Sequence, residues 1–370
     1  MHYHIILTEK CNLQCRYCYE KSMHEFDNGL EKRFKFDFSA PCDLNIVLEK
    51  LKKFLEKDSN PVLIFYGGEP LLQKNKIIEI MDYLKDLNLK YRMQTNGQLL
   101  NLLPKEYLNK ITKILISLDG DKERTDFNRG KGTYDKIMQN ISLMKKNGYN
   151  GELIARMTIA QDFPDIYEQV LNLISAGFDS IHWQLDIGFY KEDFNKEKIT
   201  NFINKINEST SKLIKYWVEK MEEGKVLKFY PFLGIIESLL KEEKTLIRCG
   251  AGHSGYAITT NGKISACPIM NNIEDFVCGT IENSPNKLKK ILVDECNLCE
   301  IKDICGGRCI YWRKAKLWPK TGDKLICKSI KYLISELQGA LPEIKKLIDK
   351  KIISQKDFDY EKYFGPEIIP

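Results

Sequence analysis

The feature that most constrains the fold is a regular alternation of short strand-like runs with amphipathic helical runs. Apolar, β-branched and aromatic residues dominate the strand-like runs, at residues 3–7, 62–66, 91–95, 114–118, 153–158 and 181–186. The helical runs lie at residues 45–57, 76–87, 134–147 and 165–176. Strands interleaved with helices predict an α/β fold whose parallel sheet is curled into a partial (β/α)6 barrel.

The loops that follow the strands are the expected location of the functional site. In TIM-like barrels, the active site is built at the carboxyl ends of the strands. Four candidate loops contain cysteine, glycine or polar residues, at residues 11–18, 67–70, 96–97 and 119–120. Because these loops follow successive strands of the predicted barrel, we expect them to meet at one end of it.

Three cysteines crowd the first loop, CNLQCRYCY, at positions 11, 15 and 18. The chain has twelve cysteines, and residues 1–10 contain no apolar export signal, so we expect a cytoplasmic, reducing location in which clustered thiols bind metal. A zinc site needs a fourth ligand, and the candidates are Cys42, His2, His4 and His24. An iron–sulfur cluster with one iron open to a small molecule fits three thiolates better.

Composition argues against two classes of partner. The net charge of +6 comes without a block of like charges, which disfavours binding to nucleic acid. No apolar run approaches the ~20 residues of a membrane span. We therefore expect a protein that binds neither nucleic acid nor membrane, and we expect a monomer.

The motif CNLQCRYCY resembles the CX3CX2C motif of radical S-adenosylmethionine (SAM) enzymes, including the aromatic Tyr19 after the third cysteine. The sequence YGGEP, with Gly67, Gly68, Glu69 and Pro70, resembles the SAM-binding turn of that family. The resemblance implies that the glycines let the backbone approach the methionine part of SAM and that Glu69 receives its amino group.

Further positions extend the resemblance along the same array of strands and helices. Ser117 and Asp119, in ISLDG, lie where the family contacts SAM and substrate. Arg156, in ARMT, resembles the arginine that meets the SAM carboxylate, for which a planar guanidinium is suited. The resemblance thus implies that Ser117 and Arg156 contact SAM, as we also expect of Asn96 at the end of the third strand, and that Asp119 is catalytic.

The resemblance also implies a reaction. Cys11, Cys15 and Cys18 would hold three irons of a [4Fe–4S] cluster, and the fourth iron would bind the amino and carboxylate groups of SAM. One electron would break the S–C5′ bond and give methionine and a 5′-deoxyadenosyl radical, which takes a hydrogen atom from the substrate. The radical chemistry belongs to the cofactor, while the protein orients the reactants and excludes water.

The C-terminal third has a second group of cysteines. Cys249 is followed by GX4C, which ends at Cys267, and then by the pattern CX2CX5CX3CX17C from Cys296 to Cys327. This pattern resembles the SPASM domain of radical SAM enzymes that act on peptides and proteins, and it implies two auxiliary [4Fe–4S] clusters. By the resemblance, the ligands of the first are Cys249, Cys267 and Cys309, and those of the second are Cys296, Cys299, Cys305 and Cys327.

Two alternatives concern this region. The CX2C pairs also occur in structural zinc sites, although iron–sulfur chemistry at the first motif favours clusters here. Cys278 lies outside the pattern and could close the first auxiliary cluster; we expect it instead to be a buried core residue, with the fourth position open or filled by another ligand. The predicted organisation is a barrel at 1–190, a helical connector at 191–245, a SPASM domain at 246–330 and a helical cap at 331–370.

The substrate implied by the resemblance is a ribosomally made peptide or a protein. Sulfatase-maturating members, which make formylglycine, have an aspartate after the GX4C cysteine, where this chain has Pro268, and a further cysteine where residues 250–256 have none. We therefore expect a thioether, a carbon–carbon crosslink or an epimerised residue as the product, with sulfatase maturation as the alternative. We expect no added leader-peptide domain, and an electron donor such as flavodoxin or ferredoxin.

A different class of function is an iron–sulfur electron carrier, against which the SAM-binding motifs argue. Polar residues near the predicted strand ends are candidates for substrate contact, although each is also a plausible structural residue of the barrel rim. These candidates are Gln94, Asn96, Asp119, Asn128, Arg129, His182 and Gln184.

Overall fold

The computed structural model describes the chain except for residues 20–29, 189–190, 192 and 294–295. His24, a possible metal ligand in the zinc alternative, lies outside the described residues. Ten strands are described: β1 His2–Ile6, β2 Val62–Tyr66, β3 Lys90–Thr95, β4 Ile111–Ser117, β5 Glu152–Ile159, β6 Ser180–Leu185, β7 Lys228–Phe229, β8 Gly255–Ile258, β9 Lys263–Ser265 and β10 Val277–Thr280. They form one sheet in the order β10-β9-β8-β1-β2-β3-β4-β5-β6-β7.

The sheet is parallel from β8 through β1 to β7, and it is antiparallel only at the β8–β9 and β9–β10 pairs. All five residues of β2 are buried, as is typical of a parallel strand covered on both faces. The predicted fold class is confirmed, and the six predicted strands are β1 to β6.

Helices cover the outer face of this sheet. The four predicted helical runs are present, and α1 buries Leu51, Phe54 and Leu55 against the sheet. Across the residues described, no helix combines the length and the apolar character that crossing a membrane requires. The described helices are α1 Leu48–Leu55, α2 Lys74–Tyr83, α3 Lys105–Leu108, α4 Lys122–Arg129, α5 Thr133–Lys146, α6 Tyr167–Ser175, α7 Lys196–Glu222, α8 Tyr230–Lys241, α9 Lys302–Cys305, α10 Ile310–Ala315 and α11 Lys320–Asp349.

The cysteine-rich region is joined to the barrel by backbone pairing. Strand β8 pairs in parallel with β1, so that His2 lies opposite Gly255 and Ile5 lies opposite Ile258. The barrel sheet therefore continues into the β8–β9–β10 strands. The division of the chain at residues 190, 245 and 330 stays a prediction, and the sheet itself does not break at those positions.

The inner face of the barrel gathers polar side chains at the carboxyl ends of the strands. Because side chains alternate between the two faces of a strand, every second residue points inward. The register places Ser117 of β4 opposite Arg156 of β5, and Thr158 of β5 opposite Gln184 of β6. Neighbouring strands thus bring these residues together at two successive levels near the carboxyl end of the barrel.

Residues 360–370 run through the interior of the barrel, whereas we expected residues 331–370 to cap it. Phe364 packs against inner-face residues of β2, β4 and β5. Glu361 forms an ion pair with Arg92 of β3 at 2.8 Å, and Ile369 lies at the other end of the segment, near the carboxyl ends of the strands. The segment has no regular secondary structure, which is why its sequence did not reveal its path.

Candidate functional site

The cysteine loop is fixed to the end of β2 by close backbone packing. Gly68 N donates to the carbonyl oxygen of Thr8 at 2.9 Å, and Glu69 N donates to that of Lys10 at 2.9 Å. A Cβ atom on Gly67 would lie 2.3 Å from the Thr8 carbonyl oxygen, and one on Gly68 would lie 2.3 Å from the Lys10 carbonyl oxygen. Both glycines are therefore required for this packing, whatever else they contact.

The carboxylate of Glu69, whose contact with the SAM amino group stays a prediction, forms hydrogen bonds within the protein. Its carboxylate is fully buried and accepts hydrogen bonds from Leu71 N at 3.0 Å, Thr95 Oγ1 at 2.8 Å and Asn96 N at 2.8 Å. Burial raises its pKa to about 7, although these three donors act in the opposite direction. Glu69 therefore ties the end of β2 to the end of β3, and it does not line the cavity described below.

Asp119 is also an internal anchor. Its carboxylate accepts two hydrogen bonds from the Arg129 guanidinium, both at 2.9 Å, one from Thr158 N at 2.9 Å and one from Tyr17 OH. It is fully buried and does not line the cavity. Four protein hydrogen bonds to this carboxylate join the cysteine loop to β5 and α4. The catalytic role expected for Asp119 stays a prediction.

A cavity of about 180 Å³, partly open to solvent, lies at the carboxyl end of the barrel. It brings together most of the sequence-predicted residues, and only Glu69, Pro70 and Asp119 of the barrel group are outside its lining. The predicted residues that line it are Cys11, Cys15, Cys18, Tyr19, Gly67, Gly68, Asn96, Ser117 and Arg156, with Gln94, Arg129 and Gln184 from the substrate candidates.

Arg156 supplies positive charge to this cavity without a carboxylate partner among the described residues. Its Nη2 donates to Gln184 Oε1 at 2.7 Å, a neutral acceptor. Desolvation lowers the pKa of the guanidinium, which shows that its surroundings do not compensate its charge. An anionic group in the cavity would compensate the charge of Arg156, and a planar guanidinium can bind a carboxylate through two hydrogen bonds.

The cysteine thiols of the first loop face the same cavity. Cys11 Sγ accepts hydrogen bonds from Leu13 N at 3.4 Å and from Asn96 Nδ2 at 3.8 Å. Such N–H···S contacts are typical of thiolates that hold iron–sulfur clusters. Asn96 also donates to Asn12 Oδ1 at 2.8 Å, so its amide is oriented by the loop that it supports.

Besides Asp119, two further substrate candidates lie outside the lining of this cavity. Asn128 is buried behind the cysteine loop, where its carbonyl oxygen accepts from Arg16 N at 2.9 Å. His182 is fully buried, and its Nδ1 contacts the carbonyl oxygen of Pro366 at 2.5 Å. Because burial lowers the pKa of His182 to about 3, the imidazole is neutral near pH 7.

The structure adds residues to the cavity that sequence reasoning missed. Asp186 directly follows β6 and is the one acidic side chain among the described residues of the lining. Burial, followed by the charges of Asp193 and Asp119, raises its pKa to about 7. Its position directly after a strand could have indicated it from the sequence. Other missed residues come from distant segments that no local pattern connects to the cavity, among them Ile269, Arg308, Trp312, Ile368 and Ile369.

The cysteines proposed for the first auxiliary site are close neighbours. Cys249 lies within electrostatic range of Cys267 and Cys309, and Cys309 also lines the central cavity. Burial raises the pKa of Cys267 to about 12, so a thiolate there needs a positive centre to bind. Cys278 lies in the core instead, with its Sγ 3.5 Å from the Phe276 carbonyl oxygen, as we expected.

The remaining four cysteines of the pattern line a separate, small space of about 20 Å³. Arg313 borders this space, and its Nη2 donates to Cys327 Sγ at 3.2 Å. The lining cysteines are Cys296, Cys299, Cys305 and Cys327.

The geometry of these cysteine groups bears on the zinc alternative. No three His, Cys, Asp or Glu side chains in the described ranges converge where a single metal ion would bind. A structural zinc ion needs four ligands at about 2.0–2.3 Å from one centre. The thiolates of a [4Fe–4S] cluster bind different irons, and the assignment of clusters rather than zinc to these cysteines stays a prediction.

Residues 5–174 match the family model described as the radical SAM superfamily. The chain contains a radical SAM domain. It is accordingly an enzyme of the oxidoreductase type, and the family implies a [4Fe–4S] cluster and SAM as cofactors. The predicted resemblance to this family is confirmed.

Two curated relatives of the radical SAM domain extend over most of the chain. The radical SAM cyclopropyl synthase TigE of Paramaledivibacter caminithermalis is 24% identical over 333 residues, which are 83% of this chain and 67% of that protein. A cysteine-type anaerobic sulfatase-maturating enzyme of Clostridium perfringens is 24% identical over 347 residues, which are 83% of this chain and 87% of that protein. Relatives of the domain thus act in different modification reactions.

A solved structure has the same fold. Native anSMEcpe with bound AdoMet and Kp18Cys peptide is 19% identical in sequence, with a TM-score of 0.69, and the match covers 94% of this chain and 99% of that chain. The likeness extends beyond the radical SAM domain into the cysteine-rich region. At this identity it establishes the fold of both parts, and the substrate is a separate question.

Proposed function

We propose that this enzyme reductively cleaves SAM to a 5′-deoxyadenosyl radical, which abstracts hydrogen from a peptide or protein substrate and so installs a post-translational modification. The observation that carries the proposal is the cavity in which Cys11, Cys15 and Cys18 face Arg156, a guanidinium without a described carboxylate partner. Three thiolates with an open position and a nearby carboxylate binder are what SAM requires.

In this proposal, different residues of the cavity bind the cluster and SAM. Cys11, Cys15 and Cys18 hold the SAM-binding [4Fe–4S] cluster, which supplies the electron for SAM cleavage when bound. Arg156 binds the SAM carboxylate, and Ser117 on the adjacent strand contacts the same molecule. Further contacts come from Tyr19, Gly67, Gly68 and Asn96, whereas Glu69, Pro70 and Asp119 act indirectly by fixing the loops.

The C-terminal cysteines hold two auxiliary [4Fe–4S] clusters in this proposal, giving three clusters and about twelve irons per chain. Cys309 is shared between the first auxiliary site and the cavity wall, which supports an electron path between that site and a bound substrate. Flavodoxin or ferredoxin is the class of external donor that we propose. The ligands are Cys249, Cys267 and Cys309 for the first site, and Cys296, Cys299, Cys305 and Cys327 for the second.

The substrate that we propose is a ribosomally made peptide, which acquires a thioether, a carbon–carbon crosslink or an epimerised residue. The cavity supports a peptide because its outer wall, with Ile187, Ile269 and Trp312, is apolar and excludes water from a bound side chain. Pro268 takes the place of the aspartate expected in sulfatase maturases, which disfavours that alternative.

The deciding experiment is anaerobic reconstitution followed by incubation with SAM and dithionite. We expect about twelve irons per chain, little zinc, and release of 5′-deoxyadenosine and methionine, measured by metal analysis and chromatography. Stoichiometric zinc with no nucleoside release would contradict the proposal. A loaded protein that accepts electrons from flavodoxin without cleaving SAM would support an electron carrier instead.

The product class is tested with the same preparation and two kinds of peptide. Candidate precursor peptides encoded nearby should show a mass loss of two hydrogens for a crosslink, or no mass change with an inverted residue for epimerisation. A cysteine-containing sulfatase peptide is the matched control, and its conversion to formylglycine would establish the sulfatase-maturase alternative.

A further inference from the structure

Arg313 of α10 is held rigidly against the second group of C-terminal cysteines. Its Nη2 donates to Cys327 Sγ at 3.2 Å, and its Nη1 donates to both carboxylate oxygens of Asp323 at 3.0 and 3.1 Å. Its Nε donates to the Gly307 carbonyl oxygen at 3.3 Å. The side chain is 8% exposed, so it contacts sulfur from a buried, fixed position.

The partner that fixes Arg313 connects it to the central cavity. Asp323 also accepts a hydrogen bond from Trp312 Nε1 at 2.5 Å. The Trp312 ring lines the cavity and leaves no room at Gly188, where a Cβ atom would lie 2.0 Å from the ring. A continuous chain of contacts therefore runs from the cavity wall through Asp323 and Arg313 to Cys327.

These contacts would change the reduction potential of a cluster bound at Cys327. Reduction adds negative charge, which a nearby cation stabilises, and hydrogen bonds to cluster sulfur raise the reduction potential. Arg313 lies within electrostatic range of Cys296 and Cys305 as well as Cys327. Because the guanidinium is buried, solvent screens its charge less than that of a surface lysine.

We propose that Arg313 is a positioning residue that raises the reduction potential of the second auxiliary cluster, and that Asp323 and Trp312 set its orientation from the cavity side. The inference rests on the proposed function, since it requires a cluster at Cys296, Cys299, Cys305 and Cys327. It adds a role for the wall of the substrate cavity. A bound substrate that displaces Trp312 would alter the hydrogen bonds that link Trp312, through Asp323 and Arg313, to Cys327.

The test is a redox titration of the full, reconstituted chain, followed by electron paramagnetic resonance. Arg313→Gln should lower the midpoint potential of one cluster only. We expect the ratio of reduced to oxidised cluster at a fixed potential to fall about tenfold, which for one electron is about 59 mV. Asp323→Asn and Trp312→Phe should shift the same cluster in the same direction by less, because they loosen Arg313 without removing its charge.

Lys331→Gln is the matched control. Lys331 is exposed, lies within electrostatic range of Cys299 and Cys327, and forms an ion pair with Glu300 at 2.6 Å. Replacing Lys331 should leave the ratio of reduced to oxidised cluster at a fixed potential nearly unchanged. An equal shift in Lys331→Gln would overturn the proposal, because any nearby charge would then suffice, and an unchanged potential in Arg313→Gln with all clusters present would overturn it directly.

Two further outcomes separate this inference from the proposed function. If Arg313→Gln loses the second cluster, Asp323→Asn decides, and an unshifted potential there overturns the inference. If the unmodified chain holds no redox-active cluster at the four cysteines, the inference and the auxiliary part of the proposed function both fall. Release of 5′-deoxyadenosine by that same preparation would still support SAM cleavage.

Discussion

The barrel and the cysteine-rich region position their functional residues in different ways. In the barrel, Ser117 and Arg156 sit opposite one another because the parallel register of β4 and β5 places them there. In the cysteine-rich region, Cys249 and Cys296 lie in loops and Cys305 on the four-residue helix α9. Backbone hydrogen bonds between strands therefore fix the site in the barrel. The positions of the cysteines in the cysteine-rich region depend more on the metal cluster that they bind.

The backbone next to Cys309 illustrates the difference. Gly306, Gly307 and Arg308 are three successive residues with left-handed φ angles of 67°, 94° and 65°. A Cβ atom on Gly306 would lie 1.8 Å from the Leu246 carbonyl oxygen, so that position requires glycine. Arg308 adopts the same region with a side chain, which carries a strain of roughly 1 kcal/mol or more. Cluster binding would offset this strain, and no comparable run occurs in the described part of the barrel.

The largest expected effect is on SAM cleavage, which should require the cysteines of the barrel but not those of the cysteine-rich region. Replacing Cys11, Cys15 and Cys18 with alanine should reduce 5′-deoxyadenosine release to background, because these three thiolates are the proposed ligands of the SAM-binding cluster. Replacing Cys296 with alanine should leave nucleoside release in a folded protein but stop peptide product. Chromatography of SAM cleavage, with circular dichroism as the folding control, checks both variants. Nucleoside release by the triple variant would show that the SAM-binding cluster is elsewhere.

The second prediction concerns the anchor at Asp119. Asp119→Ala should lower the free energy of unfolding by about 3–5 kcal/mol, because it leaves the Arg129 guanidinium buried and unpaired. Asp121→Ala is the control: Asp121 accepts from Arg124 N at 2.8 Å as a helix cap, and its loss should cost about 1 kcal/mol. Anaerobic denaturant titration measures both. A stable Asp119→Ala protein that still fails to cleave SAM would restore a direct catalytic role.

These roles show what the sequence could and could not predict. The six barrel strands were predictable because apolar runs between helices indicate buried parallel strands. Residue types at strand ends were also predictable, but the direction of a side chain was not: Glu69 and Asp119 turn toward protein donors, while Arg156 faces the cavity. Whether a carboxylate is already occupied depends on distant donors, such as Tyr17 and Thr158, that no local pattern identifies.

The junction between the two regions escaped prediction for a similar reason. The four-residue strand β8 pairs with β1 across about 250 residues of sequence, and nothing within GYAI indicates its partner. The path of residues 360–370 was equally hidden, since the segment has no period of either strand or helix. Its buried residues are matched to the barrel interior one by one, through contacts such as Glu361 with Arg92.

The third prediction tests that segment. Burial favours the protonated form of Glu361, yet hydrogen bonds from His2 and Arg92 and the charges of Arg92 and Lys113 lower its pKa to about 2. Its stabilisation is therefore present above its ordinary pKa of 4.5 and is lost only as pH falls through about 2. Glu361→Gln should lower the free energy of unfolding by about 2 kcal/mol, equally at pH 6 and pH 8.

The control for Glu361 is Glu243→Gln, which removes an exposed carboxylate paired with Lys362 and should cost less than about 1 kcal/mol. Equal losses in the two variants would mean that the barrel interior is as well solvated as the surface. Thermal unfolding under anaerobic conditions at both pH values makes the comparison.

The smallest expected effect has the opposite dependence on pH and concerns Asp186 in the cavity wall. Its pKa is raised to about 7, mainly by burial, so the folded state favours the protonated carboxyl. The stability of that state is complete below the ordinary value of 3.8 and is lost as pH rises through about 7. Asp186→Asn should therefore stabilise the protein at pH 8, by on the order of 1 kcal/mol because cavity water screens the charge.

The gain in stability from Asp186→Asn should shrink at pH 6, and the exposed Asp162→Asn should show no gain at either pH. A loss of stability at pH 8 would mean that the Asp186 carboxylate already has a cationic partner, and the acidic side chain of the cavity would then be an anchor like Asp119 rather than a group left for substrate.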